Sequence, residues 1–152
     1  MTGPPPADMG HRLLDDDYFQ KWKSRPEIVD MDARSLAYEM YFDIDGNPMP
    51  FSEWTRGACD QGYRRIADDR IGLFRVSTIW LGIDHSWGTG TPIIFETMVL
   101  LDGTVEDFGM QRYCTKEEAR AGHEAVCAEL RVTDQQAADG EAHRVYGPDE
   151  AP

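Results

Sequence analysis

Three side chains of this sequence, His85, Glu96 and His123, are of the types that ligate metals or move protons. Alternation along the apolar runs that carry the first two puts His85 on the face of Ile79, Leu81 and Ile83, and Glu96 on the face of Ile94 and Met98. Both can then point to one side of a sheet. His123 falls on the apolar stripe of a helix that would cover that side. If the three converge, a metal-dependent or acid/base site follows. If they do not, Glu96 pairs with an arginine such as Arg75 or Arg112, and His123 is a hydrogen-bonded core histidine. The second reading is favoured, because a buried charge is normally kept by pairing.

The connection His85-Ser86-Trp87-Gly88-Thr89-Gly90-Thr91 between those runs is the other candidate site. A rigid hairpin presents such a loop, and loops so held concentrate function. In a ligand-binding reading, Trp87 stacks on a base or ring, Gly88 and Gly90 offer backbone amides, and Arg64, Arg65, Arg75 or Arg112 meets an anion. His85, Ser86 and Glu96 complete the candidate set. The plain alternative is that Trp87 folds back onto the core and the glycines only close the turn.

Other patterns are decoys. Asp43-Ile44-Asp45-Gly46-Asn47 begins like a calcium loop, but Pro48 stands where glycine is needed and Trp54 where the bidentate glutamate is needed. Cys114, His123 and Cys127 fit no zinc-finger or ribbon spacing and read as core residues. No P-loop, Gly-x-Ser-x-Gly or dinucleotide fingerprint is present. Neither a metal nor a cofactor is expected.

The elements that must position these residues form one domain, since 152 residues with 41% apolar content supply one ordinary core. No run spans a bilayer, and Met1 to Asp8 lacks the features of a signal peptide, so a cytosolic location is expected. Three cysteines without paired spacing suggest reduced thiols. The net charge is −13, with 12 acids and 6 bases in residues 1–62, 5 and 4 in 63–102, and 11 and 5 in 103–152. An acidic chain lacks the cationic footprint that nucleic acid or an anionic membrane requires, so neither is expected as a direct partner.

The centre of the chain, Leu73 to Asp84 and Pro92 to Leu101, is rich in β-branched and aromatic residues and predicts a buried β-hairpin. Leu13 to Trp22 predicts a short helix behind Asp15, Asp16 and Asp17, closed by Pro26. Leu36 to Ile44 alternates and predicts a strand; Asp45 to Pro48 is a turn; Ser52 caps a helix to about Cys59. Tyr63 to Ala67 predicts a strand and Asp68 to Gly72 a turn, with another turn at Asp102-Gly103 and a short strand at Gln111 to Tyr113. Thr115-Lys116-Glu117-Glu118 is a capping box opening a helix from Lys116 to about Arg131, with Ala119, His123, Val126 and Leu130 as its stripe. The expectation is an α+β domain over 12–133: an antiparallel sheet of four to five strands packed against one long C-terminal helix, plus a short N-terminal helix. A flexible arm (1–11) and a disordered acidic tail (134–152) flank it.

The words Val76 to His85, Ile93 to Val99, Arg112 to Ala119 and Gly122-His123-Glu124, with Gly46-Asn47-Pro48 and Glu53-Trp54 upstream, resemble a group of small bacteriophage proteins, especially those of actinobacteriophages. The likeness runs from about Tyr41 to Val126. It implies phage origin and action in the host cytoplasm, and it transfers no catalytic residue. The function expected is that of a non-enzymatic accessory protein whose 85–91 loop binds a small ligand or a host protein. The alternatives are an acidic inhibitor of a host nucleic-acid-binding protein and a small enzyme built on His85, Glu96 and His123.

Overall fold

A computed structural model describes residues 7–88, 90–101 and 107–145, with side chains described over 9–88, 90–101 and 109–136. The ends expected to be flexible fall partly outside these residues, as does the turn expected at Asp102-Gly103. The architecture is α+β: a four-stranded antiparallel sheet in the order β3-β4-β5-β6 carries a long C-terminal helix on one face. A small helical layer and a two-stranded hairpin close one end.

The chain opens with α1 (Ala7–Arg12) and α2 (Asp16–Lys23). Asp15 is the N-cap of α2 and accepts from the Tyr18 amide at 2.9 Å. Pro26 does follow the end of that helix, but it also occupies the first turn of a helix that the sequence reading missed, α3 (Pro26–Ala37). Proline suits this position because its missing N–H would have no intrahelical partner there.

That helix overturns the strand expected from Leu36 to Ile44. Leu36 ends in α3, Glu39 turns the chain with φ 46°, and only Tyr41–Phe42 (β1) are extended. The apolar alternation of Leu36, Tyr38 and Met40 misled because none of the three is buried, whereas α3 packs through Ile28 and Ser35, two turns apart. After β1, the Asp43 carboxylate gathers the Asp45 and Asn47 amides at 2.9 and 2.8 Å into the expected turn. β2 (Pro48–Met49) then pairs back on β1.

α4 (Phe51–Cys59) lies where a helix was expected, but Ser52 does not cap it. Its first amides are satisfied from α3: Phe51 N–H donates to Ser35 Oγ at 2.9 Å, and Ser52 N–H and Oγ–H both donate to the Asp32 carboxylate at 2.7 Å. Orphan donors at a helix start need acceptors, and here a neighbouring helix provides them. α5 (Gln61–Arg64) leads into β3 (Arg65–Ile71), which runs through the turn expected at Asp68 to Gly72; the reversal is tighter, at Gly72 and Leu73.

The central hairpin is β4 (Phe74–Trp80) against β5 (Phe95–Leu101), in register from Phe74 opposite Leu101 to Trp80 opposite Phe95. β6 (Asp107–Tyr113) extends the short strand expected near Gln111. The capping box of α6 (Lys116–Val145) forms as expected, with Glu118 N–H donating to Thr115 Oγ1 at 3.1 Å and Thr115 N–H to Glu118 Oε2 at 3.2 Å. α6 is longer than the sixteen-residue stretch the periodicity predicts. It buries Ala119, His123, Val126 and Cys127 against the sheet face that carries Val76, Thr78 and Trp80. Among the described residues, no helix is long and apolar enough to cross a membrane.

Candidate functional site

His85, Glu96 and His123 do not converge, which is the arrangement favoured from the sequence. Val76 and Thr78 meet α6, so alternation turns the intervening residues, and with them Glu96 and Met98 opposite, to the other face of the sheet. Glu96 is buried there and accepts from Arg112 Nε at 2.9 Å. His123 lies under α6, with Nδ1 2.8 Å from Thr78 Oγ1 and Nε2 2.8 Å from Asp69 Oδ2. His85 is half-buried, its backbone N–H donating to the Ile93 carbonyl at 3.0 Å. The pairing of Glu96 with Arg112 and the hydrogen-bonded core histidine are thus the arrangement found. Arg75 is bound to Asp68 at 2.9 and 2.5 Å. Neither it nor Arg112 lines the space beside the loop.

Thr78, His123 and Asp69 are strung in the hydroxyl, imidazole, carboxylate order of a nucleophilic triad, and Thr97 Oγ1 sits 2.6 Å from Thr78 Oγ1. Geometry alone does not make a catalyst. Thr78 is 0% exposed, so no substrate reaches its hydroxyl. The chain of bonds instead satisfies polar groups between sheet and helix and fixes how α6 sits on β4.

The loop is different. Asp84 organises it from within: Oδ1 accepts from the Ser86 and Ile93 amides at 2.7 and 3.0 Å, and Oδ2 from the Ser86 hydroxyl at 2.7 Å. Burial alone would raise the Asp84 pKa, but these donors and the Gly88 amide outweigh it and hold the carboxyl below its ordinary range. Ser86 and the Gly88 amide therefore serve the loop's own scaffold. Trp87, at the tip, takes a left-handed φ of 56° and is 90% exposed.

Beside this loop lies a groove of about 590 Å³. Trp87, Gly88, Gly90 and Pro92 form one wall; Tyr38, Glu39 and Met40 face them across a floor that includes Phe42, Ile83 and Asp84. The two walls are joined by a bridge between Tyr41 and Ile83 and by the Phe42 N–H, which donates to the Gly82 carbonyl at 2.9 Å. A second, apolar hollow of about 380 Å³ adjoins the first through Tyr38 and Met40 and reaches Met31 and Phe51. Of the residues singled out from the sequence, Trp87, Gly88 and Gly90 line the groove. The far wall was missed because it comes from residues more than forty positions upstream, inside the segment read as a strand.

Comparison with protein-family models, with curated proteins and with solved structures found no match.

Proposed function

We propose that this chain is a non-enzymatic accessory protein that binds a polypeptide partner in the groove between Trp87 and Tyr38. One observation carries the reading: an indole held 90% exposed at the tip of a loop that is shaped from within by the Asp84 carboxylate, which accepts from the Ser86 hydroxyl and from the Ser86, Gly88 and Ile93 amides. A loop that only closed a hairpin would gain stability by folding that ring inward. Tyr38, Met40 and Ile83 extend the apolar strip, and aromatic and methionine side chains are the types enriched in protein interfaces. Glu39 on the rim favours a basic side chain beside the partner's apolar anchor. The resemblance to small phage proteins supports action on a host protein in the host cytoplasm.

The test is affinity capture from host-cell extract with the wild-type chain, Trp87→Ala and Tyr38→Ala in parallel. A protein retained by the wild type and lost by both variants, all three having the same thermal midpoint, is the expected result. Equal capture by all three removes the groove as the binding surface.

A further inference from the structure

The geometry points to a divalent metal site of the zinc class formed by Asp69, His123 and Cys127. It lies at the seam between α6 and the edge strand β3, on the sheet face covered by the helix. His123 and Cys127 are one helical turn apart on α6, both buried, and Asp69 comes from the middle of β3. One ligand atom from each, imidazole nitrogen, thiol sulfur and carboxylate oxygen, lies within 4.8 Å of the others. Donors that share a tetrahedral zinc at ordinary bond lengths stand about 3.4–3.6 Å apart. The Asp69 side chain is 52% exposed, and a bound metal would replace its present hydrogen bond to His123 Nε2.

The surroundings match what such a site requires. A ligating histidine is oriented by a partner on its other ring nitrogen. Here Thr78 Oγ1 is 2.8 Å from Nδ1 and itself 2.6 Å from Thr97 Oγ1, so an Nδ1–H donated to Thr78 can be passed on as a hydroxyl bond to Thr97. The present 2.8 Å hydrogen bond between Nε2 and Asp69 Oδ2 holds a proton that a metal would displace, and with the ring proton on Nδ1 the Nε2 lone pair is left for the ion. Charge also balances: a thiolate and a carboxylate neutralise a divalent cation, and neutral imidazole adds nothing. Burial, reinforced by the Asp69 charge, pushes the Cys127 thiol up. Binding therefore displaces the thiol proton to solvent as the sulfur–metal bond forms. The low reactivity of a protonated, buried thiol also sets Cys127 apart from a nucleophilic cysteine. Three protein donors leave the fourth position to water, admitted past Asp69.

The sequence concealed this set. Cys114, grouped with His123 and Cys127 by sequence proximity, lies at the other end of the seam, its sulfur 3.8 Å from the Thr91 carbonyl. Asp69, the ligand that matters, was read as part of a turn.

The test uses the full chain in a Cys59→Ser/Cys114→Ser background, which leaves Cys127 as its sole thiol, titrated with Co²⁺ and then with Zn²⁺. A near-ultraviolet thiolate-to-cobalt charge-transfer band that saturates at one ion per chain and is discharged by Zn²⁺ is expected. Asp69→Asn, a change at an exposed side chain, should weaken binding at least tenfold. Thr78→Val should weaken it by about 10- to 100-fold, the usual effect of losing an orienting partner, while circular dichroism is unchanged. Absence of the band in the folded background, or a band of equal affinity in Asp69→Asn, would overturn the assignment and leave the cluster as a hydrogen-bonded seam.

Discussion

The seam under α6 and the groove beside the 85–91 loop share the same hairpin, yet they treat side chains in opposite ways. Under the helix, Val76, Thr78, Trp80, Phe95 and Ala119 are all but sealed, and Thr97, Thr78, His123 and Asp69 are bonded in sequence. Among the described residues, no buried side-chain nitrogen or oxygen lacks a partner. At the groove, Tyr38 is 76% exposed and Met40, Ile83 and Trp87 are exposed as well. Glu39 and Trp87, the non-glycine residues with positive φ among the described residues, stand on its two walls. Folding gains free energy at the seam and loses some at the groove. Strain and exposed apolar area that gather in one place are expected where a partner, rather than the fold, supplies the compensation.

The contrast breaks first if the seam is less tightly built than it looks. Gly82 is buried with φ 67°, and a Cβ there would overlap the rings of Trp80 and Trp54. Trp80 cannot retreat easily, since its indole N–H donates to the Phe42 carbonyl at 3.1 Å and its ring meets Tyr63 edge-on at 5.0 Å. Gly82→Ala should therefore cost about 3 kcal/mol or more, from overpacking plus the left-handed backbone. The denaturant midpoint measures it. A cost below about 1 kcal/mol would show that the packed end yields as readily as the groove.

A smaller effect tests the anchoring of α6. Thr115→Ala removes the acceptor for the Glu118 amide and should cost about 1 kcal/mol with an unchanged denaturant slope. An unmoved midpoint would mean that the helix is held by its packing alone.

The capping box, the central hairpin, an antiparallel sheet of four to five strands and the pairing of Glu96 with an arginine were legible because each rests on local spacing or on a rule of charge burial. α3 was not, because its buried face is only Ile28 and Ser35, too sparse a stripe to outweigh the alternation of exposed Leu36, Tyr38 and Met40. The groove and the Asp69 cluster were hidden for another reason. Each joins residues distant in sequence, 38–48 with 83–92 and Asp69 with His123, and the register that unites them is set only by packing. A register shift between Arg65 and Ala67 in β3 adds to this, because it resets which residues of that strand face α6.

Asp84 ties the groove to pH. Its folded pKa lies below the ordinary value of 3.8, so the unfolded chain binds the proton more tightly than the folded one. The stabilisation is whole above the unfolded pKa and is lost as pH falls through the lower folded value. The protection of the Ser86 and Ile93 amides, relative to the intrinsic exchange rate at each pH, should hold at neutral pH and fall only below pH 3.8. Asp84→Asn, which keeps one acceptor oxygen of two, should quicken both amides at neutral pH while amides of α6 hold their protection. Uniform loss across both regions would mean that the loop is not a separate unit.

Trp87 gives the smallest expected change in stability and the sharpest test of the contrast. The sequence left its ring between core plug and exposed platform; at 90% exposure it is a platform. Trp87→Ala should stay within about 0.5 kcal/mol of wild type, since almost no apolar area returns to water. Trp87→Gly should go further and reverse the sign. Releasing a left-handed φ of 56° from its Cβ is worth about 1–2 kcal/mol, the added freedom of the unfolded glycine takes back about 0.5–1, and the balance is zero to about 1.5 kcal/mol in favour of the variant. A chain that becomes more stable while its partner is lost would locate a cost to folding at the residue that binds. If Trp87→Gly instead lowers the midpoint by more than about 1 kcal/mol, the indole contributes to the fold, and the difference between seam and groove is one of degree.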